Sequence, residues 1–197
     1  EYLTNKINKI FPKGIVINYI YLQAPKRKIS TYDGEEEYAW FDYFTDKTET
    51  EEFHISEEEI SQENLIESRK SIHEILDNEI MKIGDPTKIF LLGYSQGCCQ
   101  VLDAGLTYPK KIGGIIGFKG HILGYTTLET IYKQSVWVTH GTKDDALSYE
   151  IAKTSYDNHK LVNNDITFVT LENKNHDLNS GINHAIKELS KWLLKKI

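Results

Sequence analysis

Cysteine is almost missing from this chain of 197 residues: there are two, Cys98 and Cys99, side by side. Adjacent cysteines bridge one another only under strain, and with no others present there is neither a disulfide framework nor a zinc-ligand spacing. That usage points to a reducing compartment, so a cytoplasmic protein is expected. A basic excess is missing too. Lys and Arg number 23 against 29 Asp and Glu, a net charge of −6, which excludes the broad basic face of a nucleic-acid binder. No apolar run approaches the ~20 residues of a membrane-spanning helix, so no transmembrane segment is expected. Glu1–Ile10 carries charges and no apolar centre, unlike a signal peptide. It also lacks an initiator Met, and the start of the protein is expected upstream.

What remains is the composition of a folded domain, 40% hydrophobic and 26% charged. A chain of this length is expected to form one domain spanning 1–197, burying roughly 70% of its unfolded surface without disulfides or a structural metal. No repeat or long linker is visible. The one compositional anomaly is Asp46–Glu63, rich in Glu and Thr, which reads as a solvated loop running into an acidic helix start. Ser56 and Glu59 fit a capping box, with Glu57 and Glu58 suited to the positive end of the helix dipole. Leu65, Ile72, Leu76, Ile80 and Ile83 then recur at helical steps, predicting one buried stripe on a helix Glu57–Ile83 that stops at Gly84-Asp85-Pro86.

Short apolar runs predict strands at Ile15–Leu22, Ile89–Leu92, Gly114–Phe118, Val136–Thr139 and Ile166–Leu171. Helical stretches Gln96–Tyr108, Ser148–Val162 and Gly181–Lys195 separate the later ones, the last with an apolar face of Ile182, Ala185, Ile186, Leu189, Leu193 and Leu194. Strands alternating with helices imply crossover connections and an α/β fold, a mostly parallel sheet with helices on both faces.

Gly93-Tyr94-Ser95-Gln96-Gly97 follows the strand Ile89–Leu92 and opens a helix. A serine on so sharp a turn presents its hydroxyl above the sheet, and side chains at the glycine positions would clash across the turn. The helix N-terminus places the Gln96 N–H where an oxyanion would develop. A serine hydroxyl needs a base, and the hydrolase chain order is Ser, then Asp or Glu, then His. His140-Gly141-Thr142-Lys143-Asp144-Asp145 follows the strand Val136–Thr139, and Asn173-Lys174-Asn175-His176-Asp177 follows Ile166–Leu171. Both loops leave the C-terminal ends of parallel strands, the edge at which such sheets place ligands. Three loops thus bring Ser95, an aspartate and His176 to one edge, with Asp144 and Asp145 both open. The other histidines read as structural or solvated: His54 in the acidic loop, His73, His159 and His184 in helices, and His140 hydrogen-bonded locally. His121, after Gly120 and a strand, is a candidate for the pocket border. Cys98 and Cys99 read as small buried helix residues, not as a thiol nucleophile.

These residues carry a family resemblance. The chain resembles the phospholipase/carboxylesterase family of α/β hydrolases, best known from the acyl-protein thioesterases. The matching stretches are Leu91-Leu92-Gly93-Tyr94-Ser95-Gln96-Gly97, His140-Gly141-Thr142-Lys143-Asp144 and His176, with Gln23-Ala24-Pro25 similar to a His-Ala-Pro segment and Trp40-Phe41-Asp42 similar to Trp-Phe-Asp. The resemblance covers nearly the whole chain in the right order. It implies Ser95 as nucleophile, His176 as base and Asp144, rather than Asp145, as the acid that orients it. It also implies Trp40 at the site's rim, no metal or organic cofactor, and as substrate a small acyl ester or thioester, an acylated protein or a lysophospholipid.

Two departures stand out. The His-Gly-x-Gly-Asp loop with which such relatives supply a second oxyanion donor occurs nowhere in the sequence; the domain is therefore expected to be truncated at its N-terminus or to have lost the loop. In addition, Phe118-Lys119-Gly120-His121 stands where relatives carry a small serine-glycine pair, placing a Lys and a His beside the expected acyl pocket. The expected function is a serine esterase or thioesterase. The alternative is a non-catalytic hydrolase-fold scaffold, an oligomer or a subunit of a larger assembly.

Overall fold

A strand covered on both faces can carry polar side chains only where they are hydrogen-bonded, and two segments are covered in this way: β4 (Gly114–Phe118) and β5 (Ser135–Gly141) have every residue buried. In the computed structural model, which describes residues 2–11, 14–44, 59–127, 132–161 and 165–196, they form the centre of a four-stranded sheet. The outer strands are β3 (Phe90–Tyr94) and β6 (Asp165–Leu171), in the order β3-β4-β5-β6 with all neighbours parallel. Parallel neighbours need crossovers, supplied by α3 (Gln96–Thr107) between β3 and β4 and α4 (Tyr149–Leu161) between β5 and β6. The remaining helices are α1 (Tyr2–Asn8), α2 (Gln62–Ile83) and α5 (Ile182–Leu193).

Two apolar clusters cover the faces of the sheet. Ile72 and Leu76 of α2 join Val101, Leu102 and Leu106 of α3 and Ala152 and Tyr156 of α4 on one side. Leu3 and Ile7 of α1 join Ala185, Leu189, Trp192 and Leu193 of α5 on the other, around Trp137. The predicted face of α5 holds except at its end: Leu194 is half exposed and Trp192 is buried in its place. On α2, Leu65, Ile72 and Leu76 are buried as predicted and Ile83 is exposed at the last turn.

The helix start differs from the predicted one. Residues 59–61 precede α2, and Ser61 is its cap, its hydroxyl accepting from Asn64 N at 3.3 Å. Glu59 instead lies in an extended segment whose carbonyl accepts from Phe44 N, beside the Tyr43–Ile60 bridge. Ser56, Glu57, Glu58 and His54 lie outside the described residues, as does Asp46–Glu58 of the acidic stretch.

The predicted strand Ile15–Leu22 is not one. A strand exists only where another backbone pairs with it, and this segment has no ladder partner among the described residues. Its apolar side chains are spent outward: Val16 is 93% exposed and Ile15, Ile20 and Tyr21 are exposed too. A hairpin lies where apolar patterning gave no sign of one. β1 (Lys26–Ile29) and β2 (Glu35–Tyr38) pair antiparallel, setting Arg27 opposite Glu37 and Lys28 opposite Glu36, so opposite charges across the strands stabilise it.

Candidate active site

β3 runs into α3 through Ser95, which has φ 54° and ψ −127°. That conformation is costly for a residue with a Cβ and is held on both sides. Ser95 N donates to Phe118 O on the neighbouring strand at 2.9 Å, and the Cys98 and Cys99 amides donate back to Ser95 O. Of the two glycines, Gly93 is demanded by the turn: a Cβ there would stand 2.1 Å from Gly97 O. Gly97 is not, since its Cβ would meet only Trp40 Nε1 at 3.6 Å, an ordinary contact. The expected clash thus exists at one of the two positions.

The hydroxyl so presented meets His176. Ser95 Oγ lies 2.8 Å from His176 Nε2, and His176 Nδ1 lies 2.9 Å from each oxygen of the Asp144 carboxylate. A carboxylate only accepts, so Nδ1 carries the proton and Nε2 is left to accept from the serine. Asp144 rather than Asp145 faces the ring; Asp145 accepts from the backbone N of His176 at 3.3 Å. The two loops are stitched together beneath these side chains. Thr142 N donates to Leu171 O, Lys143 N to Lys174 O, and Asn173 N to Thr142 Oγ1. They pass so close that a Cβ on Gly141 would stand 2.1 Å from Lys174 O, the physical reason for glycine in His140-Gly141-Thr142-Lys143-Asp144.

Asp144 has no exposed side-chain surface. Burial alone would raise its pKa, but hydrogen bonds from His140, His176 and the Leu147 amide outweigh burial and hold it well below the usual carboxylate range. His140 is fully buried, with Nδ1 3.1 Å from Gly120 O and Nε2 2.8 Å from Leu147 O and 3.2 Å from Asp144 Oδ2. Its local hydrogen bonding is as predicted; that one of its contacts is Asp144 is new.

Gln96 is the first residue of α3, so its backbone N–H has no acceptor within the helix. Its side chain ties down the neighbouring loop, accepting from Trp40 N at 2.9 Å and donating to Phe41 O at 2.8 Å. Trp40 is thereby anchored beside the start of α3. It also lines a cavity of about 330 Å³ against α2, with Tyr21, Leu22, Ser68 and Ile72 among the other walls; Ser95 and His176 do not line that cavity. His121 is 5% exposed and turned toward Cys99, whose sulfur lies 3.9 Å from Nδ1. It is therefore an interior residue and not an open border. Cys98 and Cys99 are fully buried, and burial, with Cys99 beside it, pushes the Cys98 thiol well above its ordinary pKa.

Lys119 shows how far a charged residue can mislead. It is 1% exposed, and its ammonium donates to three backbone carbonyls, Asn175 O, Asp177 O and Ser180 O, at 2.7, 2.5 and 2.9 Å. The Lys119 side chain is thus spent on the His176 loop, although the sequence suggested it would crowd the pocket. Tyr94, next to Ser95, donates its hydroxyl to the carbonyl of His176 at 2.7 Å. No sequence signal pointed to these contacts, because all four acceptors are main-chain atoms. Among the described residues, no group of three His, Cys, Asp or Glu side chains is arranged to hold a metal ion, and no helix is long and apolar enough to cross a membrane.

Residues 3–193 match the family model for phospholipase/carboxylesterase proteins. The chain belongs to that family. Its members are hydrolases of ester or thioester type with the α/β-hydrolase fold, and the four-stranded parallel sheet with its crossover helices is that fold. Among curated relatives, acyl-protein thioesterase 1 of Schizosaccharomyces pombe is 32% identical over 108 residues, covering 54% of this chain and 44% of the relative. The matched segment thus spans less than half the length of that protein. Carboxylesterase SOBER1 of Arabidopsis thaliana is 23% identical over 185 residues, covering 91% of this chain and 77% of the relative. A crystal structure of a SOBER1 variant superposes with a TM-score of 0.82 at 21% identity, covering 100% of this chain and 91% of the other; at that identity the likeness concerns the fold.

Proposed function

We propose that this chain is a serine hydrolase that cleaves carboxylic esters or thioesters through Ser95, His176 and Asp144. The observation that carries the proposal is the continuous line of hydrogen bonds from Ser95 Oγ through His176 to Asp144, at 2.8 and 2.9 Å, at the C-terminal edge of the sheet. His176 Nε2 takes the Ser95 proton as Oγ attacks the acyl carbonyl, and Asp144 holds the ring's tautomer and stabilises the imidazolium. The tetrahedral intermediate places its oxyanion toward the Gln96 N–H. It collapses as His176 protonates the leaving alcohol or thiol, and water releases the acyl group from Ser95 by the same proton transfers in reverse. No step calls for a metal or organic cofactor.

The substrate class follows from the relatives, whose names are thioesterase and carboxylesterase: an acyl ester or thioester, with acylated proteins and lysophospholipids as candidate substrates. The alternative is a non-catalytic scaffold. The sequence contains no His-Gly-x-Gly-Asp segment, so a second oxyanion donor has no assigned residue, and loss of one such donor costs ~10²–10³ in rate. A fluorophosphonate probe applied to the full-length protein decides between them. Labelling that disappears in Ser95→Ala is the expected result; an unlabelled wild type makes the scaffold the better description. Turnover of short- and long-chain acyl esters and thioesters then sets the acyl length.

A further inference from the structure

The loop between β6 and α5, residues 172–181, carries His176 but has no regular structure of its own. Its internal bonds are few and local: Asp177 accepts from Asn179 N through its side chain and from Ser180 N through its carbonyl, and Ser180 Oγ accepts from Asn175 N. These shape a turn but do not fix it against the sheet. Its start is held by the stitching to Thr142, Lys143 and Asp145, and its carbonyls hold the rest. Those of Asn175, Asp177 and Ser180 converge on Lys119 Nζ, and that of His176 receives the Tyr94 hydroxyl.

An ammonium has three donors and no acceptor, and here all three donors are used on main-chain oxygens that bracket His176. Burying such a charge is costly unless its hydrogen bonds are complete, and charge-assisted bonds are the stronger kind. No apolar side chain can satisfy three converging carbonyls. The lysine is itself fixed from below: it follows β4 with φ 54°, and its backbone N donates to Thr139 O at 2.7 Å. The clamp therefore ties the His176 loop to the two central strands of the sheet.

We infer that Lys119 is a positioning residue, whose buried ammonium grips the backbone on either side of His176 and so keeps the imidazole in register with Ser95 and Asp144. This rests on the proposed role of His176 as base. Misplacing a reacting group by about 1 Å can cost ~10² in rate.

The test uses Lys119→Gly in the full-length protein. Glycine suits the positive φ at this position, and the space left behind has the shape of n-butylammonium. With a short-chain acyl ester, kcat is expected to fall on the order of 10²-fold with KM little changed. Added n-butylammonium is expected to restore kcat, and n-butanol is not. Should Lys119→Gly lose its near-UV circular dichroism, recovery of that signal with n-butylammonium supports the clamp, and its absence transfers the kcat measurement to Lys119→Gln, which keeps a single amide donor group. A folded variant with wild-type kcat, or a loss that the amine does not reverse, overturns the inference. The proton NMR signal of His176 Nδ1–H, held against Asp144, is read in parallel. It is expected to vanish in Lys119→Gly and return with the amine, and it reports on the clamp even if the wild type hydrolyses nothing. An inactive wild type with an amine-dependent signal sinks the hydrolase proposal and keeps the clamp; an active wild type whose variant keeps both signal and kcat does the reverse.

Discussion

Asp103 and Asp144 both have side chains with no solvent-exposed surface, and they are stabilised in opposite ways. Asp103 on α3 receives both arms of the Arg69 guanidinium at 2.7 Å and the Thr126 hydroxyl at 2.9 Å. Even so, burial dominates and raises its pKa above the ordinary value. Asp144 has no guanidinium or ammonium pressed onto it. Its carboxylate collects two imidazoles and the amides of Ala146 and Leu147, and these overcome burial and depress its pKa. The donors around the turn thus outweigh burial at Asp144, whereas Arg69 and Thr126 do not outweigh it at Asp103. The difference matches what each does. Asp103 ties α2 to α3 and to Thr126, whereas in the proposed mechanism Asp144 stays charged while the neighbouring ring takes up a proton.

The comparison breaks first at the site. Ser95→Ala is expected to lower kcat by about 10⁶, equivalent to about 8 kcal/mol of barrier, with the urea unfolding midpoint unchanged or raised. Asp144→Asn keeps the shape but removes the charge and the fixed tautomer, and is expected to cost about 10⁴ in kcat, about 5.5 kcal/mol. Steady-state kinetics on one ester substrate checks both. On the other side, Arg69→Met strands a buried carboxylate. It is expected to cost about 3–5 kcal/mol of stability at neutral pH, measured by urea unfolding, while kcat of the folded protein stays within about twofold of wild type. If Arg69→Met slowed turnover tenfold or more, the two carboxylates would not be the separate devices described here.

How much of this was legible beforehand depends on how local the cause is. Ser95 was, because a tight strand-to-helix turn writes itself into Gly93 and its neighbours. His176 was, because it follows a strand that must end at the same edge. The choice between Asp144 and Asp145 rested on the family resemblance alone, since the two are adjacent and only the stitching of Thr142 and Lys143 to the 171–174 backbone turns one of them toward the ring. Ile15–Leu22 looked like a strand because apolar runs do, yet pairing is a property of two segments. The β1–β2 hairpin was invisible for the converse reason: its stabilising pairs are charges, which in sequence read as solvent-facing. Lys119 failed in the same way, as a lysine reads as exposed until three carbonyls are found around it.

The smallest expected effect sharpens the comparison most directly, because it has opposite signs at the two carboxylates. Asp144 has a folded-state pKa below the ordinary 3.8, so in acid the folded chain binds fewer protons there than the unfolded chain. The stability it contributes is present above that ordinary value and is lost as pH falls below it. Asp103 has a folded-state pKa above 3.8; its contribution is fully present below that value and declines as pH rises through the folded pKa. Each linkage is limited to about 1.4 kcal/mol per pH unit for one proton. Urea unfolding between pH 3 and 6 on the wild type, Asp144→Asn and Asp103→Asn separates them. The stability deficit of Asp144→Asn should shrink toward the acid end. That of Asp103→Asn should shrink toward the neutral end. Deficits that run parallel across the range would show that the ionisation of both groups is set by burial alone, and that the donors around Asp144 do not distinguish it from Asp103.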